Sequence, residues 1–133
     1  MKRVLLCVLG VFFVLAGVTH FAAPAFYTDI VPPYLPFPLA LVYVSGACEM
    51  ALGALVLVPA TRALAAWGLV ALLLAVFPAN INQAVYEVPL RHAPAWLPPP
   101  TPLGLWLRLP VQFVLIAWAL WYARDPRLDR RPG

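Results

Sequence analysis

The sequence predicts an all-α fold: a membrane four-helix bundle made by a single domain over residues 1–133. Three observations carry that expectation. The chain is 64% hydrophobic and 11% charged, where a soluble domain carries about 25% charged residues. Its mean hydropathy is +0.88. It also holds four apolar runs close to the ~20 residues that a helix needs to cross roughly 30 Å of hydrocarbon. The net charge of +4 gathers at the chain ends, and no basic patch is interleaved with aromatic residues. That charge therefore speaks to membrane orientation and anionic lipid, and no nucleic-acid partner is expected.

The first helix is expected over about 4–22. Met1-Lys2-Arg3 and the apolar run that follows imitate a secretory leader, with Ala22-Ala23-Pro24-Ala25 in the place of a cleavage zone. The proline spoils that zone. Gly10, Phe13, Gly17 and His20 recur at helical spacing and make a face on which another helix can approach closely, so the segment is read as a retained helix. Residues 23–38 follow as a loop, because Pro24, Pro32, Pro33, Pro36 and Pro38 forbid a continuous helix. Phe26, Tyr27, Tyr34 and Phe37 suit the headgroup level, where amphipathic rings settle. The loop reads either as an interfacial connection or as a lid over the mouth of the bundle.

The second helix, about 39–58, is the centre of the chain. It is long enough to span a bilayer yet carries one carboxylate, Glu49, near its middle. An acid at that depth costs about 2.5–3.5 kcal/mol on insertion scales, so it must face protein or trapped water. Ser45, Gly46 and Gly53 share its face, which points Glu49 at a neighbouring helix. Pro59-Ala60-Thr61-Arg62 makes a short turn into the third helix, about 63–86. Pro78 should kink that helix and free a carbonyl one turn earlier, with Asn80, Asn82 and Gln83 just beyond. Glu87 to Pro102 is a second proline-rich connection, extended and semi-rigid. The fourth helix, about 103–123, contains Arg108, Pro110 and Gln112 and ends on Trp118, Trp121 and Tyr122. The tail from Arg124 to Arg131 is expected to be solvated.

Basic residues set the orientation. Four spans put Lys2, Arg3, Arg62, Arg124, Arg127, Arg130 and Arg131 on one face, and only Arg91 and Arg108 toward the other. An excess of Lys and Arg marks the cytoplasmic side. The expectation is a multi-pass protein of the bacterial inner membrane with both termini cytoplasmic and the proline-rich loops outside. Cys7 and Cys48 form no CxxC pair and read as small buried hydrophobes.

The polar residues of all four helices fall in the outer half. Counting about 1.5 Å per residue from each outer helix end, His20 lies roughly 3–5 Å deep. Asn82, Arg108 and Asn80 lie at about 6–9 Å, Gln112 near 13 Å and Glu49 near 16 Å on the same count. These six are the candidate ligand-binding residues of an outward-opening pocket for a small polar or quinone-like molecule. The competing expectation is a polar network that only fixes helix register, as interhelical bonds of about 0.6–2 kcal/mol each allow. Glu49 is either neutral or ionised against Arg108, should that side chain reach inward. No metal site is expected, since His20, His92 and Glu49 lack ligand-pair spacing. No nucleophile triad, phosphate loop or dinucleotide fingerprint is present, and no reaction is legible.

Five stretches carry a resemblance: FFVLAGVTHFAAPAF at 12–26, VPPYLP at 31–36, LVYVSGACEMALG at 41–53, RALAAWGLVALLLAVFPANI at 62–81 and RLPVQFVLIAWALW at 108–121. Together they resemble the DoxX-like membrane proteins, in particular a small uncharacterised bacterial branch. Gly17-x-x-His20-Phe21, Ser45-Gly46-x-x-Glu49 and Phe77-Pro78-Ala79-Asn80 are the blocks that match. The resemblance implies a four-helix bundle and an association with redox chemistry, since one relative is a subunit of a thiosulfate:quinone oxidoreductase. It also implies that His20, Glu49 and Asn80 are the positions to test first. The absence of a cysteine pair argues against direct thiol–disulfide exchange. The expected role is a redox-associated accessory protein that holds a quinone or other small molecule, with the lipid bilayer, a redox protein or a second copy as further partners. The alternative is a non-catalytic interaction or assembly protein. Transport fits poorly, because the inner half offers no polar path and the chain has no inverted repeat.

Overall fold

A computed structural model describes residues 1–96 and 98–125. Its elements in order are α1 (Lys2–Ala22), α2 (Pro24–Thr28), α3 (Pro38–Leu55), α4 (Arg62–Tyr86) and α5 (Pro102–Ala123). The fold is all-α, and the four long helices are each apolar and long enough to cross a membrane. The expected solvated tail lies outside the described residues from position 126 onward.

Side-chain exposure says which solvent surrounds the bundle. Along α1, Val4, Val8, Val11, Leu15 and Val18 form one helical stripe and are 43–65% exposed. On α5, Leu103, Leu107, Val111 and Val114 repeat the pattern. Continuous apolar stripes of this length are stable only against lipid. The chain is a multi-pass membrane protein. Cys7 sits on the α1 stripe and is exposed, not buried as its composition suggested; Cys48 is half-buried, and both thiols are free.

Two helix pairs make the bundle. α1 packs antiparallel on α3 through four glycines. A Cβ on Gly10 would lie 2.7 Å from the Gly53 carbonyl oxygen, and one on Gly17 would lie 2.5 Å from that of Gly46. With no side chains between them, the two backbones touch at both levels. α4 packs on α5, and α3 joins the pairs by packing on α4. The apolar core gathers near the face that carries the chain ends, built from Leu6, Leu9, Phe13, Val56, Ala66, Leu69 and their neighbours. There the Tyr122 hydroxyl donates to the Lys2 carbonyl at 2.8 Å, and Lys2 Nζ meets Asp125 Oδ2 at 2.8 Å.

Two boundaries differ from expectation. The second long helix stops at Leu55 instead of 58, because side chains from the start of α4 take its last carbonyls. Thr61 Oγ1 donates to Leu55 O at 2.8 Å, and Arg62 Nε donates to Val56 O at 3.2 Å. The first proline-rich connection, read as a loop, contains the five-residue helix α2. Pro24 occupies its first turn, where a missing N–H costs nothing; the later prolines keep the segment from extending.

Candidate functional site

The glycine crossing positions the deepest polar pair. Gly17 opposite Gly46 places Glu49 level with about Val14, six residues or roughly 9 Å below His20 along the axis. Side chains on a helix lean toward its N-terminus. α1 begins at the face that carries the chain ends and α3 at the opposite, loop-bearing face, so His20 leans down while Glu49 leans up. His20 Nδ1 and Glu49 Oε2 meet at 3.4 Å. Both residues are 9% exposed. Depths counted from helix ends kept them apart because α1 stops about three residues short of the start of α3, and because leaning side chains close the rest. A Cβ on Gly46 would stand 2.6 Å from His20 Cβ, so the glycine is what admits the imidazole.

That pair is not mutually satisfied. His20 Nδ1 also lies 2.9 Å from the Ala16 carbonyl oxygen, which requires the ring proton on that nitrogen. The proton is thus aimed at the backbone, and Glu49 Oε2 is buried without a hydrogen-bond partner among the described residues. An unpaired buried acceptor is costly, of order 1–3 kcal/mol. Above the pair, α2 supplies a roof. The Tyr27 ring stacks on His20 with centroids 3.8 Å apart and planes 16° from parallel. The Tyr27 hydroxyl is 2.5 Å from Thr19 Oγ1.

The other candidates lie on α4 and α5. Asn80 Nδ2 donates to Gln112 Oε1 at 2.7 Å, and Gln112 Nε2 donates to the Leu73 carbonyl. That carbonyl neighbours the one at Leu74, whose usual partner would be the N–H that Pro78 lacks. Arg108 Nη1 donates to Gln83 Oε1 at 2.6 Å. The guanidinium fixes the orientation of the Gln83 amide, since only the oxygen can accept from it. Gln83 Nε2 is left buried without a partner among the described residues. Asn82 is buried on α4 and takes part in none of the described hydrogen bonds.

Five of the six candidates therefore divide between two helix pairs, and Asn82 joins neither group. His20 and Glu49 meet between α1 and α3, while Asn80, Gln112 and Arg108 are occupied between α4 and α5. The expected alternative of a Glu49–Arg108 ion pair is not formed. Leu52 packs against Gly68, which sets Glu49 level with about Ala71. Arg108, held at Gln83, stands about twelve residues or roughly 18 Å nearer the loop-bearing face. It leans further that way, because α5 begins there.

Sequence reasoning missed two groups. Gln83, fully buried, stands in the sequence only as one of three amides just beyond Pro78. Asp29 and His92 join the two proline-rich connections: Asp29 Oδ2 accepts from the His92 backbone N–H at 3.0 Å, and Oδ1 lies 2.9 Å from His92 Nδ1. The available signal was that Asp29 in the first connection faces two possible partners in the second, Arg91 and His92. A half-open cleft of about 480 Å³ also lies in the second connection, lined by Glu87, Leu90, Pro94, Pro99 and Leu105 among others. None of the six candidates borders it.

A family model described as "Domain of unknown function (DUF8561)" matches residues 9–123. The chain belongs to this family. The match runs from the glycine face of α1 to the last residue of α5, so the DUF8561 unit contains all six candidates as well as Gln83, Asp29 and His92. No curated protein and no solved structure matches the DUF8561 chain.

Proposed function

We propose that this DUF8561 protein is a redox-associated accessory protein of the bacterial inner membrane, with both termini cytoplasmic, that holds a quinone or similar small molecule at His20 and Glu49. One observation carries the reading: a carboxylate oxygen is buried with no donor among the described residues, 3.4 Å from an imidazole whose proton is committed elsewhere. An ionisable group at such depth in a membrane protein is a functional-site hypothesis by default. A bound hydroxyl or N–H would supply the missing donor, and the apolar surroundings suit a ring-bearing ligand. The resemblance to the DoxX-like proteins supports the redox setting. The exposed apolar faces leave room for a redox protein or a second copy beside the bundle.

The α4–α5 groups support a different role. Asn80, Gln112 and the Leu73 carbonyl engage one another, as do Arg108 and Gln83, so these side chains act in packing and in holding the Pro78 region. The alternative of a non-catalytic assembly protein would extend that role to Glu49.

The test is binding of a short-chain ubiquinol, and of the matching quinone, to the purified protein in detergent, with wild type beside Glu49→Gln, His20→Ala and Asn80→Ala. The expected loss is about tenfold or more for Glu49→Gln and His20→Ala, the equivalent of removing one charge-assisted hydrogen bond. Asn80→Ala should bind like wild type. Equal affinity in all four proteins would remove the assignment and leave the packing role.

A further inference from the structure

We propose that the Asp29–His92 contact is a latch that regulates access to the His20–Glu49 site from the loop-bearing face. The inference rests on reading that pair as a binding site, and it assigns a role to two residues outside it. On that face His20 is covered by α2, whose Tyr27 lies flat on its ring at 3.8 Å. α2 is a single short helix of five residues with no buried residue of its own. A helix that short has no independent stability, so its position depends on what ties it down.

Three ties hold it. At its start, α2 follows α1 after Ala23 alone. In its middle, the Tyr27 hydroxyl meets Thr19 Oγ1 at 2.5 Å. At its end stands Asp29, the residue that terminates the helix, and both carboxylate oxygens of Asp29 are engaged by His92. The first two ties come from α1 itself and move with it. Only the third reaches across to the connection between α4 and α5, 63 residues away. That connection is stiffened by its prolines and fixed at both ends by long helices. It is therefore an anchor against which α2 can be held closed.

The two halves of the latch differ in exposure. The Asp29 side chain is 11% exposed and that of His92 58%, so His92 is the half that can swing into water at little cost. Opening then needs the loss of the two Asp29–His92 contacts, of the Tyr27–Thr19 contact and the Tyr27 stack, and of the packing of α2 on α3. Segments with few buried contacts and exposed ties open at low free energy. Asp29 and His92 are positioning residues here, acting on the site through Tyr27.

The test reads access without any ligand. Diethyl pyrocarbonate modifies the free ring nitrogen of a histidine, and peptide mass spectrometry separates His20 from His92. The full chain in detergent is compared as wild type, Asp29→Ala, His92→Ala and the double variant Asp29→Cys with His92→Cys. Asp29→Ala removes both contacts and should raise the His20 modification rate about fivefold or more, as expected for an opened local unit. His92→Ala keeps the backbone contact and should give a smaller rise. In the double-cysteine variant, oxidation should return the rate to wild type or below, and reduction should raise it again. That reversible pair keeps the test decisive should Asp29→Ala fold poorly. A His20 rate within twofold of wild type in Asp29→Ala and in the reduced double variant overturns the latch. If ubiquinol binding nevertheless depends on Glu49, the site stands and only the latch falls. If His20 opens as expected but no ligand binds, the latch stands as a structural roof and the binding reading falls.

Discussion

Gly46 controls the His20–Glu49 pair more closely than either polar side chain does. Its α-carbon faces His20, and a methyl group there would stand 2.6 Å from His20 Cβ and 3.0 Å from the Gly17 carbonyl oxygen. Neither neighbour can move without shifting α1 as a body. Gly68 is a useful contrast, because a Cβ there would meet Leu52 Cδ2 at 2.6 Å, the far end of a flexible side chain. Gly46→Ala should therefore destabilise the protein by about 1–3 kcal/mol, the usual range for overpacking. Gly68→Ala should cost clearly less, since a leucine rotamer absorbs the methyl and alanine favours the helix. Unfolding of the two variants by SDS titration of the reconstituted protein measures the difference. Equal costs would mean that the α1–α3 contact is looser than its glycines imply. The same residue explains why the pairing escaped a reading by depth. Gly46 and Gly53 identify the face of α3 that meets a neighbour, but not which neighbour, and the register of the crossing appears only once Gly17 is seen opposite Gly46.

At the scale of elements, α4 and α5 form a pair cemented by amides, whereas α1 and α3 are joined by bare backbone and one unsatisfied carboxylate. Asn80, Gln112 and the Leu73 carbonyl lie in a chain that bridges the region of Pro78. A double-mutant cycle on Asn80→Ala and Gln112→Ala should show a coupling of about 0.6–1.7 kcal/mol, the range found for interhelical hydrogen bonds in membranes. Coupling near zero, read from the same SDS titration, would say that the amides are satisfied separately. Much of this architecture was legible in the sequence. Four apolar runs, prolines at 24, 38 and 102 and the turn before Arg62 define the long helices to within a few residues, because lipid requires a continuous apolar helix. What was not legible has physical causes. α2 is held by Tyr27 and Asp29, through contacts formed with other elements, and no five-residue stretch advertises them. The end of α3 moved by one turn because Thr61 and Arg62 side chains reach back to it, a tertiary event. The division of five polar residues into two groups depends on which helices are neighbours, and periodicity fixes faces without fixing neighbours.

For the molecule as a whole, the consequential question is which face looks into the cell, since the roof, the latch and the cleft all lie on the face opposite the chain ends. In the folded protein three of the described basic groups on the face that carries the chain ends are engaged. Lys2 is paired with Asp125, Arg124 lies over the Trp67 ring at 5.8 Å, and Arg62 is buried with its Nε on a carbonyl. Orientation, however, is decided while the chain inserts, before those partners are in place, and the sorting rule counts Lys and Arg flanking each span and gives acids little weight. On that count seven basic residues, Lys2, Arg3, Arg62, Arg124, Arg127, Arg130 and Arg131, oppose Arg91 and Arg108, and the chain ends should be cytoplasmic. The prediction is checked by single cysteines in a background of Cys7→Ser and Cys48→Ser. Ala93→Cys, in the second connection, should react with a membrane-impermeant maleimide on intact cells. Ala60→Cys, in the turn between α3 and α4, should react only after the cells are broken. The reverse pattern would turn the roof of the His20–Glu49 site toward the cytoplasm, and its ligand would then have to arrive from inside.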